Sequence, residues 1–574
     1  MLSSAELSYK QRQKQIDGLI ADKTFHLHRY QTLGVLWLQL LSRNGLHGII
    51  ADEMGLGKTV QAVMFIASVL SPTQRALVVV PASTVAHWTS EVATWTSLTV
   101  LTLAGDKSGR HIGLRWLESS GDRLEKYTRH ATRAGILRVG QPDAGTVVVA
   151  TTPVIADGKV RRALDTNRWR VLVVDEAQVL RNPSTKLHSN LARVRAGTKV
   201  LLTGTPMQNT PAELLALLSF VSPWVKARLS DLTAIPVDLG PLAVYLLGPF
   251  MLRRVKADVT RDLPEIRRLT VKVELSQSHR AVYDATLSGC VGQSLSTSLM
   301  RTRLACAHPL LVSTSYDTAR RTLIAQLAAD QATPNPTLAF AVGEALGCDL
   351  GDMLASFSPE SLLLMPTTPA VPTHGLVYDW QMIPAFEAAG IDVPELDLSG
   401  SAKIDRALAL VRQTLASGQS AVVFSQFRLV LDIFESILEP IAQIDLFRLD
   451  GQTDTADRGG IIAAFQHAPG PAVMLLSTRA GGVGITLTAA SVAVFIDHDY
   501  NPTTDEQAEA RIHRIGQTRP VTIYNLQAEG TVDSAIRAVA AARAVKNKGV
   551  LDGVTVSEAD SDLKVYFRQA GVDV

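Results

Sequence analysis

Short, unbroken runs of aliphatic and β-branched residues constrain this chain more than any other feature. Ala76-Leu77-Val78-Val79-Val80, Thr146 to Ala150, Val171 to Val174 and Lys199 to Leu202 lie in the first half; Ala421 to Phe424, Val473 to Leu476, Val492 to Ile496 and Val521 to Tyr524 lie in the second. A strand with one wet face alternates apolar and polar residues. An unbroken run suits a strand covered on both faces, as in a parallel sheet flanked by helices. The intervening segments carry helical spacing, as at Trp88, Val92 and Trp95. The pattern predicts an α/β fold of two tandem, doubly wound parallel-sheet lobes, 25–250 and 399–545. Residues 251–398 read as a connector and a helical insertion, helix-leaning at first and then interrupted by Pro334, Pro336, Pro359, Pro366, Pro369 and Pro372. Residues 1–24 are assigned to an N-terminal extension and 546–574 to a C-terminal tail.

Composition narrows the functional classes. With 46% hydrophobic and 19% charged residues, the chain has ample material for a core and is not disordered over most of its length. Fifty-six Lys and Arg against 54 Asp and Glu leave a net charge of +2, so any nucleic-acid contact must rest on local sites. Cys290, Cys306 and Cys348 stand far apart, which excludes a disulfide framework or a multi-cysteine zinc module and fits a reducing, intracellular setting. Cys306 and His308 lack the companions a metal needs. The polar N-terminus carries Lys10, Arg12 and Lys14 with no apolar stretch behind them, so no secretory signal and no membrane partner are expected. Residues 106–140 hold eight Lys/Arg against four Asp/Glu, which reads as a solvated helical excursion or as a nucleic-acid contact.

Two segments carry phosphate chemistry. Asp52-Glu53-Met54-Gly55-Leu56-Gly57-Lys58-Thr59 follows an apolar run and opens a helix. Glycines let backbone N–H groups wrap a phosphate, and the helix N-terminus adds positive potential. Lys58 would reach the β- and γ-phosphates and the Thr59 hydroxyl would bind Mg²⁺. The strict phosphate-loop pattern wants Gly where Asp52 stands, and such a turn alone could be a structural elbow. The second segment, Asp175-Glu176-Ala177-Gln178, ends the Val171 to Val174 run. Carboxylates at the carboxyl end of a buried strand face the ligand crevice. Asp175 can hold Mg²⁺ and Glu176 can polarise an attacking water; the plainer alternative is a solvated strand tip.

At this point the chain resembles the Swi/Snf-type ATPases, double-stranded-DNA translocases of helicase superfamily two, over about 25–548. Leu27-His28-Arg29-Tyr30-Gln31 resembles the adenine-reading segment, with Gln31 as reader, and the loop with Asp52 matches the family's own. Val80-Pro81 to Trp88 is similar to the strand-gripping segment of the first lobe. Gln178 stands where His is more usual, and Leu202-Thr203-Gly204-Thr205-Pro206-Met207-Gln208-Asn209 matches the motif coupling hydrolysis to motion. Met251 to Lys256, with Asp258 and Leu263-Pro264, resembles the inter-lobe connector, and Ser399 to Lys403 the start of the second lobe. Val423 to Phe427, Arg448 to Gly451 and Ser477 to Gly484 match second-lobe motifs; Thr486 and Tyr500 stand where Asn and Trp are common. Gln507, Arg511 and Arg514 match the arginine-finger motif, and a helix at about 531–546 the closing brace.

The resemblance implies RecA-like lobes and a DNA-dependent ATPase that uses ATP and Mg²⁺, the metal held by Thr59 and Asp175. ATP would be bound by Gln31, by Asp52, Glu53, Met54, Gly55, Leu56, Gly57, Lys58 and Thr59, and by Gly482. Lys58, Asp175, Glu176, Gln507, Arg511 and Arg514 would be catalytic, and Gln178, Thr203, Gly204 and Thr205 would couple the site to motion. Ser83, Thr84, Thr152, Gln426, Arg448, Gly451 and Thr478 would contact DNA, although Ser83 could be a helix cap and Arg448 a surface ion pair. Trp88 reads as core, since Val92 and Trp95 share its face. The implied partners are double-stranded DNA and a targeting protein or nucleoprotein, with the chain active as a monomer or as a subunit of a complex, intracellular and DNA-associated. A strand-separating helicase and a nucleotide-dependent scaffold without turnover are the competing readings.

Overall fold

The computed structural model describes residues 4–551 except 22–23, 106, 120, 142–143, 158–159, 208–209, 223–224, 226, 228–244, 260–262, 313–399, 439–443, 455–456 and 479–483. The proline-rich insertion, Gly482 and the last residues of the tail lie outside the described residues.

The first lobe is built on an eight-stranded sheet in the order β4-β3-β5-β2-β6-β7-β1-β8. Its strands are β1 (Gly48–Ile50), β2 (Arg75–Val80), β3 (Thr99–Leu103), β4 (Leu137–Arg138), β5 (Thr146–Thr151), β6 (Trp169–Val174), β7 (Ala196–Leu202) and β8 (Met251–Leu252). All neighbours pair in parallel except β3 and β4. The aliphatic runs behave as their lack of alternation demands. Val78, Val147, Val149, Val171 and Val173 face one apolar layer, which includes Phe65 and Trp88; Leu77, Val79, Val148, Leu172 and Val174 face the other. Each fully buried aliphatic side chain contributes roughly 1.5–3 kcal/mol. The helices α1 (Ser4–Gly18), α2 (Arg29–Arg43), α3 (Lys58–Val69) and α4 (Val85–Trp95) belong to this lobe.

The second lobe is a six-stranded, all-parallel sheet in the order β11-β12-β10-β13-β14-β9. Its strands are β9 (Ile266–Val273), β10 (Ser420–Ser425), β11 (Asp445–Leu449), β12 (Ala472–Ser477), β13 (Ala490–Phe495) and β14 (Val521–Ala528). Val423, Val473, Leu475 and Val494 pack against helices on one face; Val422, Phe424, Met474 and Phe495 pack on the other.

The expected boundaries need correction. Ile16 and Ile20 are buried in the first lobe's core, so the N-terminal segment is part of that lobe. The connector begins by adding β8 to the first sheet and then contributes β9 to the second, so the second lobe takes up chain from 266 onward. The helices Gln277–Ser288 and Leu295–Ala307 pack on that lobe through Tyr283, Ala305 and Cys306, against Val532 and Ile536. The helix Val532–Leu551 crosses the expected boundary at 545 without a break. The excursion at 107–133 forms two helices, and Trp116, Leu117 and Ala131 fasten it to the first core. Among the described residues no helix is long and apolar enough to cross a membrane.

Candidate nucleotide site between the lobes

The phosphate loop leaves β1 and enters α3. Gly55 and Gly57 have φ of +88° and +74°, a region that L side chains rarely adopt. A Cβ on Gly57 would lie 2.4 Å from the Gln31 amide nitrogen, and one on Gly55 would lie 3.1 Å from Cβ of Arg514. Gln31 is buried and caps α2: its Oε1 accepts from His28 N–H (3.0 Å) and its Nε2 donates to the Leu56 carbonyl (3.2 Å). Tyr30 donates to the same carbonyl at 3.0 Å. Lys58 lays its ammonium on the carbonyls of Asp52 (2.8 Å) and Glu53 (3.4 Å), inside the turn of the loop. Burial lowers the Lys58 pKa, with Glu176, Asp52 and Asp175 opposing.

Two loop carboxylates serve the connector. The Asp52 carboxylate is fully buried and accepts from Arg254 Nε at 2.9 Å, from Arg254 Nη2 at 2.5 Å and from Gln61 Nε2 at 3.0 Å. Arg254 also bonds Gln61 Oε1 (2.8 Å) and the Tyr30 carbonyl. The Asp52 side chain is therefore a structural anchor and not the ligand group expected of it, because its oxygens are saturated by protein donors. Glu53 Oε2 accepts from Lys256 N–H at 2.7 Å, and the Lys256 ammonium donates to the His513 carbonyl of the second lobe at 2.8 Å. Met54 packs on Gly204, where a Cβ would come within 2.5 Å of its Cγ.

Asp175 and Glu176 follow β6 into the crevice. Asp175 Oδ2 accepts from the indole N–H of Trp88 at 2.7 Å, and Oδ1 from Glu176 N–H at 2.9 Å. Burial, with Glu176 alongside, pushes the Asp175 carboxyl up to about 6. Glu176 has φ +48°, the sole positive φ outside glycine among the described residues, a left-handed conformation that costs backbone energy in a residue with a side chain. Gln178 Nε2 donates to Glu176 Oε2 (2.7 Å), Thr203 Oγ1 donates to Gln178 Oε1 (2.9 Å), and Thr205 N–H donates to Thr203 Oγ1 (3.2 Å). This relay fixes the orientation of the Gln178 amide and ties the Glu176 carboxylate to the Thr203–Thr205 turn.

The second lobe supplies the arginines. Asn501 caps the helix Pro502–Glu509, which carries half-buried Gln507. Arg511 and Arg514 lie in the turns that follow, so a loop and not a helical face brings them together. Arg511 is buried and interacts electrostatically with Glu176 and Asp175; burial, then Arg514, pushes its pKa down to about 10. Arg514 donates to the Ile485 carbonyl at 3.2 Å, and its Nε is buried with no hydrogen-bond partner among the described residues. Behind the loop, on the connector side, the lobes enclose a cavity of about 610 Å³ bordered by Met54, Gly204, Lys256, Arg268 and His513.

These groups suit a magnesium-bound nucleoside triphosphate. The carboxylate of Asp175 and the hydroxyl of Thr59, on the first turn of α3, are hard oxygen donors of the kind Mg²⁺ takes. The Nε of Arg514, without a partner among the described residues, and a Lys58 ammonium resting on loop carbonyls are cations suited to phosphate oxygens. Among the described residues there is no cluster of three or more His, Cys, Asp and Glu that could hold a metal. Cys306 is instead buried beside Thr531 and Lys403.

The expected DNA contacts divide. Ser83 and Thr152 are half-buried at the ends of β2 and β5, and Gly451 is exposed. Thr84 is buried, donates to the Pro81 carbonyl at 2.9 Å and sets its methyl against Gly484 of the second lobe. Gln426 N–H donates to Asp497 at 2.9 Å, and its side-chain nitrogen is buried without a partner among the described residues. Thr478 has no exposed surface. Arg448 takes the ion-pair alternative: Asp432, Glu435 and Asp450 engage its half-buried guanidinium, which competes with any phosphate contact. Sequence reasoning did not reach the hydrogen bond of Trp88 or the bridges made by Arg254 and Lys256. The signal open to it was a pair of cations, unneeded for solubility, immediately after the last strand of the first lobe.

Comparison with known proteins follows the same two halves. The family model described as SNF2-related domain matches residues 30–314, and that described as helicase conserved C-terminal domain matches 402–516. The chain is 31% identical over 539 residues to the SWI/SNF-related matrix-associated actin-dependent regulator of chromatin subfamily A containing DEAD/H box 1 homolog of Drosophila melanogaster, covering 88% of this chain and 58% of that protein. It is 30% identical over 563 residues to ATP-dependent helicase fft1 of Schizosaccharomyces pombe, covering 94% and 54%. The chain thus spans little more than half the length of these relatives. Among solved structures, the Sulfolobus solfataricus SWI2/SNF2 ATPase core in complex with dsDNA matches 92% of this chain and 94% of that one, at 21% identity and a TM-score of 0.36.

Proposed function

Since this chain belongs to the Swi/Snf-type ATPases of helicase superfamily two, we propose that it is a DNA-dependent ATPase that moves along double-stranded DNA and remodels protein–DNA complexes or DNA structures. The observation that carries the reading is the convergence of Lys58, Asp175 and Glu176 from one lobe with Arg511 and Arg514 from the other on one crevice.

In this mechanism the loop amides and Lys58 cradle the β- and γ-phosphates, while Gln31 sits beside them for the base. Mg²⁺, held by Thr59 and Asp175, would neutralise charge on the phosphate chain. Glu176, oriented by Gln178, polarises the attacking water. Arg511 and Arg514 stabilise charge on the transferring phosphoryl group, an effect worth roughly 10³–10⁵ in rate in related phosphoryl transfers. The Gln178–Thr203–Thr205 relay connects Glu176 to a turn touching Met54, so loss of the γ-phosphate is felt at the lobe interface. Ser83, Thr152 and Gly451 would make the backbone contacts. Such grip is blind to base sequence and weakens as salt rises. The working setting is the nucleoprotein of the cell, with double-stranded DNA as the partner and target choice left to DNA structure or an associated protein.

Phosphate release with and without a blunt duplex tests the reading. The expected result is stimulation by the blunt duplex, with triplex displacement in the presence of ATP. Lys58→Ala should abolish turnover, and Glu176→Gln should trap ATP. Stimulation only by tailed or single-stranded DNA would favour a strand-separating helicase, and no turnover under any condition would favour a scaffold.

A further inference from the structure

Trp88 combines two properties that a core side chain does not need together. It is fully buried, and its indole N–H ends on the one carboxylate assigned to the metal, at 2.7 Å, across 87 residues of chain. The other oxygen of Asp175 is fixed by Glu176 N–H. With both oxygens tethered from the protein side, the carboxylate presents its remaining lone pairs in one direction. A partner of this kind behind a metal ligand typically contributes 10–100-fold in metal affinity.

The helix that bears Trp88 also meets the second lobe. The turn before α4 holds Ser83 and Thr84. Thr84 and His87 lie against Gly484, at 2.5 and 3.8 Å from where its Cβ would stand. One turn beyond Trp88, Glu91 interacts electrostatically with Arg514. Burial, with Arg514 and Arg511 close by, pushes the His87 imidazole down to about 4, so α4 offers those arginines no competing cation at neutral pH. One rigid helix thus touches the first lobe's DNA-facing turn, the arginine segment and, through Trp88, Asp175.

We propose that Trp88 is a positioning residue for Asp175, which sets the orientation of the metal carboxylate and links it to the α4 surface where the lobes and DNA meet. The inference rests on the reading of the crevice as a magnesium–nucleotide site.

The test is Trp88→Phe, which keeps an aromatic ring and removes the donor. Binding of a fluorescent ADP is measured with Mg²⁺ and with EDTA. The wild type should bind more tightly with Mg²⁺. In the variant that enhancement should fall about tenfold while binding in EDTA stays unchanged. Raised Mg²⁺ should restore DNA-stimulated turnover, which a merely structural defect would not allow. An undiminished Mg²⁺ enhancement, or an equal loss in EDTA, overturns the proposal. Should Trp88→Phe fail to fold, site-specific 3-benzothienylalanine, with sulfur in place of N–H at the same ring shape, gives the same comparison. A wild type that binds ADP with Mg²⁺ enhancement but shows no DNA-stimulated turnover would overturn the proposed function and leave the Trp88 comparison standing.

Discussion

Replacing Arg254 by Ala should cripple ATP use far more than it destabilises the fold. The guanidinium holds both Asp52 oxygens, Gln61 and the Tyr30 carbonyl, so one side chain from the connector fixes the phosphate loop, α3 and the adenine segment together. Its side chain is 14% exposed and that of Asp52 0%, so solvent screens the pair little. Stranding a buried carboxylate costs about 3–5 kcal/mol. Gln61 continues to donate to Asp52, which favours the lower end. Asp52 belongs to the loop itself, and a loop relaxes more readily than a sheet. The penalty should therefore emerge as lost organisation of the phosphate site. About 3 kcal/mol at roughly 1.4 kcal/mol per decade is a fall of about 10² in kcat/KM for ATP. Arg254→Lys keeps the charge but cannot fork onto both oxygens and also reach Gln61, so a loss of about tenfold is expected. The assay is steady-state phosphate release at saturating blunt duplex across ATP concentrations, with thermal unfolding in parallel. Arg254→Ala within threefold of wild type in kcat/KM, at unchanged melting temperature, would refute the argument.

Other perturbations test other joints. Lys403 and Asp533 form a buried ion pair at 2.5 Å that ties the helix Ala402–Ala416 to the start of the C-terminal helix, and Lys403→Met should cost about 3–5 kcal/mol, read as a lowered melting temperature that Lys403→Met with Asp533→Leu largely restores. Burial opposes both charges, but each partner more than offsets this, so the Asp533 pKa is lowered and that of Lys403 raised. The pair's stabilisation should thus be present between about pH 5 and 9; it is lost as acid protonates Asp533 below its unfolded value of about 3.9, and as alkali takes Lys403 above its unfolded value of about 10.4. A wild-type advantage over the double variant that does not shrink at either extreme would contradict this. Gly484→Ala adds a Cβ 2.5 Å from Thr84, whose hydroxyl is already committed to Pro81, and places a side chain at φ +68°; DNA-stimulated kcat should fall about tenfold through impeded closure, with ATP affinity altered less.

What the sequence made legible follows from where each strand sits. The strands β2, β5, β6, β10, β12 and β13 are covered on both faces, so they read as unbroken apolar runs. The sheet-edge strand β9, Ile266-Arg-Arg-Leu-Thr-Val-Lys-Val, is mostly exposed, and β11 is only partly covered; neither carries that signature, and β9 was therefore lost in the connector. The phosphate loop was legible because Gly55, Gly57 and Lys58 are neighbours in the chain and each performs a local task. The bond from Trp88 to Asp175 and that from Lys256 to His513 span 87 and 257 residues, and no periodicity encodes them. For Arg448 the ion-pair alternative was legible, because Asp450 stands two residues on in the same motif, but its engagement by Asp432 and Glu435 from the helix Arg428–Leu438 was not.

The charge balance in the crevice gives closure a physical drive. Lys58 and Arg511 face Asp175 and Glu176, Arg514 faces Glu91, and Arg514 acts on Arg511 as a like charge. Burial depresses the pKa of all three cations, which means that each gives up hydration not fully replaced by protein partners. On the proposed function, a triphosphate would supply the missing negative charge in the place where hydration was surrendered, and so would bind a closed arrangement better than an open one. A ligand shifts such an equilibrium only by that differential affinity. Departure of the γ-phosphate would then remove the charge that the second lobe's arginines are proposed to meet, while Lys58 would keep the β-phosphate. On the proposed function, closure would then be favoured with ATP and weakened with ADP by the same three cations.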